Sequence, residues 1–122
     1  MNPITRILIL DSDHKFAETL GRLLELYYRF VKVTIAFTGL GAVHLVTGGM
    51  FDIVFIHLNL EEDDGVDVAT AIRTCCGAEW PKLIAMSGCR TRIAAERLAP
   101  LFDRALVKPL VIEELFEAIA GF

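Results

Sequence analysis

The sequence predicts a doubly wound α/β fold: one five-stranded parallel sheet with helices on both faces. Short apolar runs alternate with amphipathic segments five times within 122 residues. The third run, Ile53 to Ile56, is apolar without a break, as expected of a central strand covered on both faces. Strand–helix alternation around buried strands gives parallel pairing with right-handed crossovers. No room remains for a linker or second domain, so residues 1–122 form a single domain.

The elements follow in order. Ile4–Leu10 is β-rich and is ended by Asp11, Ser12 and Asp13. Between His14 and Arg29, Phe16, Leu20, Leu23, Leu24 and Tyr27 recur at helical spacing. Asp13 or Ser12 is placed to cap that helix. Val31–Phe37 alternates as a strand, Thr38-Gly39 breaks it, and Leu40–Val46 is a short helix closed by Gly48-Gly49. Asp52–Ile56 is the third strand and Val66–Cys75 the third helix. Trp80-Pro81 marks a turn. Lys82–Met86 is the fourth strand, ending at Ser87-Gly88. A helix over Arg92–Leu98 stops near Pro100. Arg104–Val107 is a last short strand, followed by Lys108-Pro109 and a helix over Val111–Ala120.

Bulk chemistry narrows the function. Twelve basic against sixteen acidic side chains leave a net charge of −4, which argues against a general nucleic-acid surface. Apolar content is 54% and mean hydropathy +0.51; about 45–50% apolar is usual. No run approaches the roughly 20 apolar residues of a membrane span, so the excess is assigned to core or a contact face. The start, MNPITRILIL, lacks the features of a secretory signal. Cys75, Cys76 and Cys89 read as reduced cytosolic thiols, and the CxxC spacing of a zinc site is missing. A cytoplasmic location is therefore expected.

Just past the strands stand Asp11, Ser12 and Asp13, then His57, Ser87 and Lys108. In a doubly wound sheet these positions converge on one crevice. Along its whole length the chain resembles the receiver domain of bacterial two-component response regulators, of the chemotaxis-regulator type. The stretches that carry the likeness are ILILDSD, DIVFIHLNL with the following DG, IAMSG and LVKP. The resemblance implies strand order 2-1-3-4-5 and a phosphorylatable aspartate ending the third strand. It further implies an acidic pair that helps bind Mg²⁺, and a Ser or Thr and a Lys that contact the phosphoryl group. An aromatic residue three before that Lys commonly reports the switch.

Matched position by position, Asp11, Gly65, Ser87, Lys108 and Pro109 keep the pattern. Ser12 replaces the second acid, His57 the acceptor, Glu61 a common Pro, and Ala105 the switch aromatic. The family reaction is attack of a carboxylate oxygen on phosphorus with Mg²⁺ neutralising charge. Imidazole offers no carboxylate, and Mg²⁺ prefers oxygen ligands. The expectation is a natural, degenerate receiver that binds Mg²⁺ weakly or not at all, with no other cofactor or metal and no enzymatic activity.

Several roles are open to His57. It could be a structural group hydrogen-bonded to Asp11 or a loop carbonyl, a transition-metal ligand with Asp11 and Asp13, a phosphohistidine, or a pH switch. Lys108 disfavours imidazolium while Asp11 and Asp13 favour it, so the sign of its pKa shift stays open. Asp13 reads first as a helix cap, Ser87 and Lys108 as structural relics with Lys108 facing Asp11. His14 and His44 read as surface residues, and Glu61–Asp64 as a solvated loop.

If phosphorylation is gone, contact with partners is the function left. The expected face is the fourth helix, fifth strand and fifth helix, with Arg90, Arg92, Arg97, Arg104 and Ala105 set against Glu113, Glu114 and Glu117. Expected partners are a histidine kinase, an output domain or another receiver, including a homodimer through this face; nucleic acid and membrane are not expected. The sequence ends just past the fifth helix with no output domain within it, and the expectation is either a stand-alone adaptor or a domain of a longer regulator or hybrid kinase. Two rival classes are a metal sensor and a flavin carrier. The flavin carrier is disfavoured because DSDHK would repel a phosphate. A receiver that is still phosphorylated on another residue is a third alternative.

Overall fold

The computed structural model describes residues 4–98 and 101–122. Its elements are β1 (Thr5–Leu10), α1 (His14–Tyr27), β2 (Val31–Ala36), α2 (Gly39–Gly48) and β3 (Ile53–His57), then α3 (Gly65–Cys76), β4 (Lys82–Ser87), α4 (Arg90–Leu98), β5 (Arg104–Val107) and α5 (Ile112–Ala120). All strand pairs are parallel and the sheet order is β2-β1-β3-β4-β5. This is the flavodoxin-like receiver topology that the sequence predicts.

Side chains alternate across the sheet, so each strand feeds two cores. Leu8, Leu10, Val54, Ile56, Leu83 and Ala85 meet Val68, Ile72 and Ile93 of α3 and α4 on one face. Ile7, Ile9, Phe55, Ile84 and Met86 meet Leu20, Leu24 and Leu115 of α1 and α5 on the other. Each such fully buried side chain contributes about 1.5–3 kcal/mol. Register sets Leu10 beside Ile56, His57 beside Met86, and Ser87 beside Val107. The carboxyl ends of the four adjacent strands therefore open at one level.

Several boundaries move for local reasons. The third strand begins at Ile53 and includes His57, which pairs in register with Met86, while the Asp52 carboxylate accepts the Arg6 N–H at 2.8 Å. The second helix starts earlier and ends later than its apolar periodicity suggests. Thr38 caps Gly41 N–H, and Asp63 accepts Gly39 N–H at 3.1 Å. Its end is not a left-handed glycine cap: Gly48 is helical and Gly49 extended at φ −130°. The left-handed glycine is Gly77 (φ +102°), which closes α3. The fourth helix starts at Arg90, not Arg92; its expected stop near Pro100 lies outside the described residues.

The acidic run Glu61–Asp64 is more than a solvated loop, since Asp63 holds α2 and Asp64 caps Val66 N–H at the start of α3. Next to it, Gly65 packs against the end of β3. A Cβ there would lie 2.6 Å from the His57 carbonyl oxygen and 2.7 Å from Leu58 Cα, so only glycine lets α3 approach this closely.

Candidate functional site

Asp11 directly follows β1 and has no solvent exposure. A buried carboxylate needs partners, and both of its oxygens have them. Oδ1 accepts the Asp13 N–H at 3.0 Å, and Oδ2 faces Lys108 Nζ at 2.6 Å. Lys108 reaches it from the loop after β5, whose position is fixed by its own N–H donating to the Ser87 carbonyl at 2.8 Å. The ammonium also lies 3.6 Å from the centre of the Phe16 ring on α1, a cation–π contact in a partly desolvated place.

His57 stands at the end of β3, its side chain 17% exposed, with Nδ1 3.5 Å from Asp11 Oδ1. That distance is too long for a good hydrogen bond, and among the described residues Nδ1 is a buried side-chain atom left without a partner. The expected hydrogen bond to Asp11 or a carbonyl is thus not made at this nitrogen. The reason is that Lys108 and the Asp13 N–H already serve Asp11. Burial lowers the His57 pKa and outweighs the opposing pull of Asp11 and Asp13; Lys108 and Arg92 reinforce the lowering. The ring is neutral at pH 7.

The remaining polar groups of the crevice are turned to other tasks. Ser87, fully buried, donates Oγ–H to Asn59 Oδ1 at 2.8 Å and accepts the Cys89 N–H at 3.0 Å. Ser12 Oγ accepts the Glu61 N–H at 3.1 Å. Asp13 caps α1 by accepting the Phe16 N–H at 3.1 Å. So Asp11, His57 and Lys108 meet, Ser87 lies beside them, and Ser12 and Asp13 serve the backbone.

Residues 7–120 match the family model for the response regulator receiver domain. The chain belongs to that family. Its fold superposes on the CheY-like receiver domain of a response regulator from Methylobacillus flagellatus, with TM-score 0.83 and 28% identity over 97% of this chain and 98% of the other. It superposes equally on the receiver domain of the Francisella response regulator 1452, with TM-score 0.82 and 26% identity over 98% and 95%. A two-component response regulator from Clostridium difficile gives TM-score 0.82 at 24% identity over 96% and 93%. A search of curated proteins found no match. Receiver domains are signal-transduction modules that interact with proteins such as kinases and output domains.

In this receiver domain the crevice does not fit Mg²⁺. Such an ion needs near-octahedral oxygen coordination, whereas Asp11 is matched to an ammonium, and Ser12 Oγ and one Asp13 carboxylate oxygen accept backbone N–H groups. Among the described residues no three His, Cys, Asp or Glu side chains gather as a metal-holding group. Likewise, no helix is long and apolar enough to cross a membrane.

The expected contact face divides. Arg97 donates from Nε and Nη2 to the Ala105 carbonyl at 3.2 and 3.0 Å, tying α4 to β5. With Arg104, Ala105, Glu114 and Glu117 it lines a groove of about 350 Å³. Arg92 leaves this face: it pairs with Asp64 at the start of α3. Five residues separate it from Arg97, a turn of about 140° around the helix. Glu113 is exposed but does not line the groove. The Arg92 guanidinium holds the Asp64 carboxyl below its usual range, against the opposite effect of burial.

Sequence reasoning missed three participants. Asn59 satisfies Ser87, Phe16 faces Lys108, and Asp64 draws in Arg92. Phe16 had a signal, three residues past a cap beneath the crevice. The pairings of Asn59 and Asp64 each span 28 residues and had none.

Proposed function

We propose that this receiver domain is a degenerate one, a pseudo-receiver that signals without phosphorylation, through protein–protein contact, and is not an enzyme. One observation carries the reading: the end of β3 presents an imidazole, and the one buried crevice carboxylate, Asp11, is closed by Lys108 at 2.6 Å. A neutral ring beside a neutralised acid supplies neither the attacking carboxylate nor the oxygen set for a hard cation. The groove across α4, β5 and α5, with two arginines facing two glutamates, supports docking of a kinase, an output domain or a second receiver there. A cytoplasmic setting suits the three exposed, unbridged cysteines. A transition-metal sensor built on His57, Asp11 and Asp13 is disfavoured, because Asp11 and Asp13 are both engaged elsewhere.

Intact mass after incubation with a small-molecule phosphodonor and Mg²⁺ tests this reading. The native chain is expected to gain nothing. Any gain of a phosphoryl group by the native chain overturns the pseudo-receiver reading. The acid or base lability of the product then separates a phosphohistidine from an acyl phosphate. A gain by His57→Asp alone would show that the rest of the crevice remains competent.

A further inference from the structure

The sheet has two free edges, β2 and β5. β2 is the longer, six residues against four. Its sequence, VKVTIA, is mostly β-branched, and Lys32 is its single charge. Such an edge is a template for strand addition.

The direction of its backbone groups follows from the pairing with β1. The Phe30 and Ala36 carbonyls accept the Thr5 and Asp11 N–H groups at 2.8 and 3.1 Å, so the even-numbered residues face β1. Successive residues of a strand point their N–H and C=O groups to opposite sides. Val31, Val33 and Ile35 therefore turn theirs outward.

Of these outward groups, only the Val33 N–H is answered among the described residues, by Glu25 Oε2 on α1 at 2.9 Å. A side-chain carboxylate thus stands where the carbonyl of an added strand would stand. Around it, α1 and the edge enclose a hollow of about 180 Å³ lined by Glu18, Gly21, Arg22, Glu25, Val33 and Ile35. Val33 and Ile35 are half-buried, whereas Ile7 and Ile9, opposite them on β1, are fully buried.

We propose that the β2 edge is a pairing surface for a second copy of this chain, held shut by Glu25. The edge is self-complementary in antiparallel register about Val33. Val31 then meets Ile35 of the second copy on one face, and Lys32 meets Thr34 on the other, so no like charges are opposed within the ladder. The contact is isologous and closes at a dimer. Glu25 opposes it twice. Each carboxylate must release its Val33 N–H, a charge-assisted bond that a neutral carbonyl does not fully replace, and the two-fold draws both carboxylates toward one axis. The surface lies at the opposite edge from the β5 groove and leaves that groove free. It stands whether or not the crevice accepts a phosphoryl group.

Sedimentation equilibrium of the native chain and of Glu25→Ala tests this. The native chain is expected to associate only weakly, and Glu25→Ala about tenfold more tightly or more, with no species beyond a dimer. Adding Val33→Pro to Glu25→Ala should abolish association, because it removes an outward donor and no bond to β1. Circular dichroism checks that this variant folds. Amide exchange gives a readout that needs no proline: the Val31, Val33 and Ile35 N–H groups of Glu25→Ala should slow as the dimer forms. Equal association of the native chain and Glu25→Ala, strong or absent, overturns the proposal. A dimer that leaves these three amides in fast exchange overturns it too, as does one that persists in the folded proline variant. Growth into open-ended oligomers has the same force, since the two-fold register closes.

Discussion

At the carboxyl end of the sheet nearly every polar atom is answered from within the domain, whereas at the amino end large apolar side chains stand open. Asp11 has Lys108 and a backbone N–H, Ser87 has Asn59, and Ser12 and Asp13 hold backbone groups. Trp80, Phe122 and Met50 have neighbours on one side only. The contrast separates two uses of chemistry-bearing side chains. A buried polar group that is fully paired is costly to disturb and has no capacity left for a ligand. A half-exposed ring contributes little to the fold and keeps its capacity to bind.

The largest effect that could break this contrast is expected at Asp11. Asp11→Ala strands the Lys108 ammonium and should cost about 3 kcal/mol, the lower end for a broken buried pair, because Lys108 is itself 17% exposed. Urea unfolding measures it; a loss below about 1 kcal/mol would mean that the pair is not what closes the crevice. Next is Gly65→Ala, whose added methyl meets backbone at 2.6 Å and cannot be relieved by a side-chain rotation. About 1–3 kcal/mol of destabilisation is expected by thermal melting.

A smaller effect is expected from pH. Burial lowers the His57 pKa below its ordinary value of 6.5, so the unfolded chain takes up the proton first as pH falls. The His57 contribution to stability therefore declines from about 6.5 down to the lowered folded value and is level below it. Urea midpoints between neutral and mildly acidic pH should show this slope, and His57→Gln should flatten it. An unchanged slope would remove the neutral, buried imidazole from the account. Smallest of all is Met50→Ser at the open end, expected within about 0.5 kcal/mol of the native stability. A larger loss there would make the rim part of the fold and erase the contrast.

How much was legible beforehand differs between scaffold and site. Ile53–Ile56 announced a central strand because period and composition are local properties of a buried parallel strand. Asp13 announced a helix start because a cap acts within three residues. The meeting of Asp11, His57, Ser87 and Lys108 at one level follows from the strand order alone. By contrast, Arg92 was assigned to the contact face without its partner Asp64, and the helix-holding roles of the exposed Asp63 and half-exposed Asp64 were not foreseen. Their partners, Asp64 for Arg92 and Gly39 for Asp63, lie 28 and 24 residues away in sequence. No periodicity encodes such a pairing.

His57 shows the division most clearly. Its identity and its place at a strand end are written in the chain, and with them the absence of a carboxylate at that point. Whether it is charged is a balance of burial and two cations against two acids, and each of these depends on distances set by separate elements. Local patterning decides which elements form and in what order, because hydrogen bonding and side-chain alternation act over a few residues. Only packing decides that Lys108 reaches Asp11 first, leaves the imidazole nitrogen unpartnered and drives the ring neutral, because electrostatic partners are chosen by proximity in space.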